Sequence, residues 1–104
     1  MKKPRPLSER ELYLIEIYSN CQLGMTPQQF YAKWDVTHEI IAWICSRSLS
    51  TVRFWFVTGK NHRPPQPHDL RNLALMDFLL EHFEEIPEEW RNLLCLSVKR
   101  REVK

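Results

Sequence analysis

Helix-start signals recur along this chain more regularly than any other pattern. Ser8 stands three residues before Glu11, and Thr26 three before Gln29. That is the spacing of a capping box, in which a hydroxyl and a longer polar side chain each satisfy the other's backbone N–H. Thr37 precedes a third apolar segment, Ser48 or Ser50 a fourth, and Asp69 is suited to cap a fifth. Behind each signal the apolar residues return at helical spacing: Leu12, Leu14, Ile15, Ile17 and Tyr18 in the first, which fades near Gly24, then a short helix to Trp34 with Pro27 at its first position. Ile40, Ile41, Ile44 and Cys45 follow, and then Val52, Trp55 and Phe56, closed by Gly59. The longest run carries Leu70, Leu73, Met76, Leu79, Leu80, Phe83 and Ile86 until Pro87 breaks it, and a last short helix carries Trp90, Leu93 and Leu94.

Only Gly24 and Gly59 are available for backbone conformations of positive φ, so hairpins have little to turn on. The expected fold is therefore all-α, a compact bundle of five to six helices. Its 104 residues suit one domain over 8–96, with a basic arm over 1–7 and a basic tail over 97–104. The arm is not followed by an unbroken apolar run, and no stretch nears the ~18 apolar residues of a membrane span. Cys21, Cys45 and Cys95 are widely spaced and form no Cys-x-x-Cys pattern, which suits reduced thiols and a cytoplasmic location.

Charge is segregated along the chain. From Ile44 to Met76, Arg47, Arg53, Lys60, Arg63 and Arg71 face one acid, Asp69. From Asp77 to Glu89 there are six acids and no Lys or Arg, and the tail is basic again. Such a distribution would turn the middle of the chain toward a polyanion and the acidic segment away from it; a solvated acidic helix face explains the second half equally well.

The segment from Thr37 to Thr58 has the requirements of a helix-turn-helix. Ala42 is small where a second helix would cross the first, and Ile41, Ile44 or Cys45, Val52 and Trp55 supply an inner face. The run Ser48-Leu-Ser-Thr-Val-Arg-Phe-Trp55 resembles the second helix of many prokaryotic helix-turn-helix regulators, the one that enters the major groove. A wider resemblance covers residues 25–95, about two thirds of the chain. Met25-Thr-Pro-Gln-Gln-Phe-Tyr-Ala-Lys-Trp34, Ser50-Thr-Val-Arg53, the proline-rich loop and Leu73-Ala-Leu-Met-Asp-Phe-Leu-Leu-Glu-His-Phe-Glu-Glu-Ile-Pro87 are similar to a group of small cyanobacterial helix-turn-helix proteins. The resemblance implies a DNA-binding fold and leaves the biological role open. Two residues depart from the pattern. Ser46 stands where glycine usually makes the turn, and Arg47 where an apolar residue usually plugs the core. Either Arg47 swings out toward phosphate or the turn differs.

On the second helix Ser48, Leu49, Ser50, Thr51, Arg53 and Phe54 are expected to point away from the core. Arg53 can pair bidentately with guanine or phosphate, and the hydroxyls of Ser48, Ser50 and Thr51 can reach phosphates or bases. Lys60, His62 and Arg63 follow in a loop stiffened by Pro64, Pro65 and Pro67, suited to a strand backbone or a minor groove, or equally to a plain connector. The expected DNA-contacting set is thus Arg47, Ser48, Ser50, Thr51, Arg53, Lys60, His62 and Arg63. Lys2, Lys3, Arg5 and the tail's Lys99, Arg100 and Arg101 would add only salt-dependent affinity.

Nothing in the sequence points to catalysis, a cofactor or a metal: His38, His62, His68 and His82 do not stand at ligand spacing with a cysteine or carboxylate pair, and the paired glutamates lie on a polar stretch. The leading expectation is a double-stranded-DNA binder, a transcriptional regulator or a mobile-element accessory factor. A single recognition helix reads too little sequence alone, so a homodimer is the geometric expectation, joined through the N-terminal helix or the Asp69–Ile86 helix. The alternative is a helical adaptor that holds a protein partner through Trp43, Leu49 and Phe54.

Overall fold

The computed structural model describes residues 3–95, which are all-helical with no strand. The helices are α1 (Glu9–Asn20), α2 (Pro27–Lys33), α3 (His38–Cys45), α4 (Leu49–Phe56), α5 (Pro67–His82) and α6 (Glu88–Leu93). Short 3-10 turns occupy Gly59–Asn61 and Phe83–Glu85. Among the described residues no helix is long and apolar enough to cross a membrane. Lys2 of the arm and the tail residues Lys99, Arg100 and Arg101 lie outside the described residues.

Four of the helix starts follow the sequence signals. Glu11 accepts from the N–H of Ser8 at 2.7 Å and from its hydroxyl, and this holds the Glu11 carboxyl below its usual range. Thr26 and Gln29 exchange the two bonds of a full capping box. Thr37 accepts from the Ile40 N–H and Ser48 from the Thr51 N–H, so Ser48 and not Ser50 caps α4. The fifth start differs. The cap of α5 is Gln66, Pro67 takes the first helical position, and Asp69 sits at the third, reaching back to accept from the Gln66 N–H at 2.8 Å. Proline is favoured at that first position because its missing N–H would be unpaired there anyway. The end of α5 also comes earlier than Ile86, at His82, where the chain tightens into a 3-10 turn ahead of Pro87.

The core lies among α2, α3, α4 and α5: Phe30, Ile41, Ala42, Cys45, Val52, Trp55 and Leu73 are buried, with Met25, Trp34, Val36, Ile44, Phe56 and Met76 packed around them. Polar bonds fasten the edges. Gln28 donates to the carbonyl of Trp55 at the end of α4 (2.8 Å), and the Trp34 indole N–H donates to Asp77 of α5 (3.0 Å). Lys33 pairs with Asp77 and Glu81 at 2.7 and 3.1 Å. The Lys33 ammonium, helped by that indole, holds the Asp77 carboxyl below its usual range, and the two carboxylates raise Lys33 in turn. Part of the acidic segment is therefore neutralised within the fold.

Two elements stay outside this core. Helix α6 buries no residue, and its Trp90 is 59% exposed. Helix α1 also buries none, although six of its twelve residues are large and apolar. It touches α5 at its C-terminal end, where the Arg71 guanidinium lies 4.7 Å from the centre of the Tyr18 ring and donates to the Cys21 carbonyl.

The corner between α3 and α4 turns on one left-handed residue. Ser46 has φ 57° and ψ 46°. The Ser46 N–H reaches the Trp43 carbonyl, and the Arg47 N–H donates to the Ala42 carbonyl at 2.9 Å. That pair of bonds is a Schellman motif, which satisfies carbonyls the helix would otherwise leave open. A side chain in this conformation is strained where glycine is not. Ser46→Gly should therefore raise stability by about 0.5–1 kcal/mol, after the greater freedom of glycine in the unfolded chain is offset. Urea denaturation of the two proteins checks it, and a destabilised glycine variant would refute the left-handed assignment.

Candidate nucleic-acid interface

Helix α4 is held from behind by Val52 and Trp55, 0% and 2% exposed, three residues apart on one side of the helix. Ser50, Arg53 and Phe54 are turned outward, with Leu49 and Thr51 half-buried at the margins. Ser48 is exposed, yet its hydroxyl is committed: it accepts the cap bond and lies 2.9 Å from the Thr51 hydroxyl. Of the expected hydroxyls, Ser50 alone faces outward without such a commitment. Arg53 is exposed and borders a shallow open concavity with Asp35, Thr37, His38, Glu39 and Leu49. Two carboxylates thus stand on the same surface as this arginine.

The loop after α4 folds back on it. The Arg63 N–H donates to the Phe54 carbonyl at 3.2 Å, and the Arg63 guanidinium lies 5.8 Å from the Phe54 ring centre. This closes one of the open carbonyls at the end of α4 and brings a second cation beside Arg53's helix. Gly59 takes φ 86°, which only glycine adopts without strain, and lets the chain reverse. His62 is tied to its own loop, with its Nδ1 2.8 Å from the Val57 carbonyl oxygen. Lys60 is exposed. Ser50 and Arg53 thus face outward along α4, Arg63 folds back onto Phe54 near its C-terminal end, and Lys60 is exposed in the loop that follows.

Arg47 goes elsewhere. Its Nε lies 2.9 Å from Asp69 Oδ1 and its Nη2 3.1 Å from Oδ2, a bidentate pair, with the His68 ring nitrogen 2.7 Å from Nη2. Asp69's side chain is 1% exposed and Arg47's 31%. Of the two alternatives for this residue, the side chain does not swing out; it replaces the usual apolar plug with an ion pair that bolts the corner to the start of α5. Asp69 both closes the first turn of α5 and receives Arg47, so each of its oxygens accepts at least one hydrogen bond. The sequence carried one hint: Asp69 is the single acid in an otherwise basic stretch. Beside the pair, burial and the negative charge of Asp69 push the Cys45 thiol up to about 11, which leaves it protonated and unreactive at neutral pH.

The remaining histidines have local partners. His38 stacks on Phe56 at 4.2 Å with Tyr31 at its edge, and His82 lies 2.6 Å from Glu85. Trp43, beside the corner on α3, is 70% exposed.

No family model matches this chain, and neither the curated proteins nor the solved structures contain a significant match to it.

Proposed function

We propose that this chain is a cytoplasmic DNA-binding protein in which α3 and α4 act as a helix-turn-helix of the kind seen in small cyanobacterial proteins, with α4 entering the major groove. The biological role that fits is transcriptional regulation or an accessory function for a mobile element. The observation that carries the reading is the corner itself. A left-handed residue makes the turn, Ala42 is buried at the crossing, and α4 is fixed on its inner side while Ser50 and Arg53 remain outward. That is the arrangement a recognition helix needs, because its base-reading side chains must be presented by a rigid support.

Arg53 is the principal reader in this account, with Ser50 beside it and Lys60 and Arg63 on the backbone. Asp35 and Glu39, on the Arg53 surface, weaken its attraction for phosphate in general, which favours a directed contact to a base edge. Arg47 supports the site from behind. Selection from a random duplex pool should enrich a defined site. On that site Arg53→Ala should weaken binding about 10-fold or more and relax preference at one base position. Unchanged affinity and unchanged preference would remove Arg53 from the interface.

A second reading is favoured by one observation, the exposure of Trp43 next to the corner. In an adaptor, Trp43, Leu49 and Phe54 would hold a protein partner. That reading predicts no enrichment from the duplex pool at near-physiological salt.

A further inference from the structure

Helix α1 has an apolar surface that the other described residues leave exposed. At 3.6 residues per turn, Tyr13, Ile17, Leu14, Tyr18, Ile15 and Leu12 sweep roughly three quarters of its circumference. Arg10 and Glu11 in the first turn and Ser19 in the last interrupt that sweep, and Glu9, Glu16 and Asn20 form a polar stripe on the rest. All six apolar side chains are between 48% and 64% exposed. A helix with so wide a spread of large apolar side chains needs cover on more than one side. The surface continues onto α5. Arg71, which holds Tyr18, shares one helical stripe with Leu75, Phe78 and His82, and Leu75 and Phe78 are 42% and 56% exposed.

We propose that this surface is where a second copy of the chain binds, α1 of each protomer packing against α1 and the Leu75–Phe78 stripe of the other in an isologous four-helix arrangement. Area supports it. With Leu7, Leu75 and Phe78, the six side chains of α1 expose roughly 800 Å² of apolar surface, at the ~150–250 Å² that a large side chain carries. A stable pair of proteins buries about that much on each partner. Two-fold pairing also meets the need for cover on several sides, since each α1 gains both the partner's α1 and its α5. The charge of the polar stripe argues against a membrane as the occupant. A helix lying on an anionic bilayer carries Lys and Arg on its polar face, whereas this stripe carries two glutamates.

The inference does not rest on DNA binding and is tested without DNA. Sedimentation equilibrium of the full chain at ~100 μM should give twice the 12.6 kDa chain mass. The double variant Leu14→Glu, Ile17→Glu replaces side chains that the single chain leaves exposed. It should keep its helical circular dichroism while its dissociation constant rises at least ~100-fold, to a monomer. A monomeric parent protein, or a double variant that keeps the dimer mass, would overturn the proposal. So would a parent that sediments as a monomer and binds phosphatidylserine vesicles through α1.

Discussion

Asp69→Ala should destabilise the fold by about 3 kcal/mol, the lower end of what breaking a buried ion pair costs. The substitution removes both bonds to the Arg47 guanidinium and the bond that closes the first turn of α5. It also leaves Arg47 without its counter-charge. Because that side chain is 31% exposed, it can turn to water, which places the effect at the low end of the range. Asp69→Asn separates the two roles: the amide oxygen can still accept from the Gln66 N–H, but the charge is gone. About half the loss is expected from it. Urea denaturation of the three proteins gives the comparison. A loss below about 1 kcal/mol for the alanine variant would mean that the pair contributes no more than a surface salt bridge does.

Phe30→Ala should cost about 3–5 kcal/mol. Phe30 is 0% exposed, and α2 is only seven residues long with Pro27 as its other buried residue. The helix is thus anchored by one large side chain, flanked by the polar ties from Gln28 and Trp34. With a core of seven buried hydrophobic side chains among the described residues, the domain has little reserve; small domains have only about 5–15 kcal/mol in all. Phe30→Leu, which keeps most of the volume, should cost under about 1.5 kcal/mol. The denaturation midpoint should fall in that order, and equal effects of the two substitutions would show that Phe30 does not fill a packed site.

The helices were readable in the sequence because their start signals are local. A hydroxyl at Thr26 and an amide at Gln29 act across three residues and need nothing else to be known. The inner face of the corner was readable for the same reason, since Ile41, Cys45, Val52 and Trp55 lie at helical spacing within fifteen residues. What could not be read is non-local. Asp69 was expected as a cap because it precedes an apolar run; its second role depends on Arg47, 22 residues earlier, coming alongside. Likewise apolar spacing shows that a helix has a face to bury, and not whether its own chain buries it. Leu73 and Trp55 found the core, while Trp90 and the whole apolar surface of α1 did not. For the candidate interface, periodicity placed Arg53 outward, whereas the pairing of Arg47 with Asp69 and the return of Arg63 onto Phe54 depended on contacts between separate elements.

The bolt between Arg47 and Asp69 also constrains how this chain can change over generations. With an apolar residue at 47 and the acid retained at 69, a carboxylate 1% exposed would lose its counter-ion; with Asp69 lost first, a guanidinium would lose its seat. Each single step crosses a less stable intermediate, whereas the double exchange to an apolar plug need not lose stability at all. The two positions are therefore coupled energetically: the ionic pair and the apolar pair are each self-consistent, and a hybrid of the two is the less stable form.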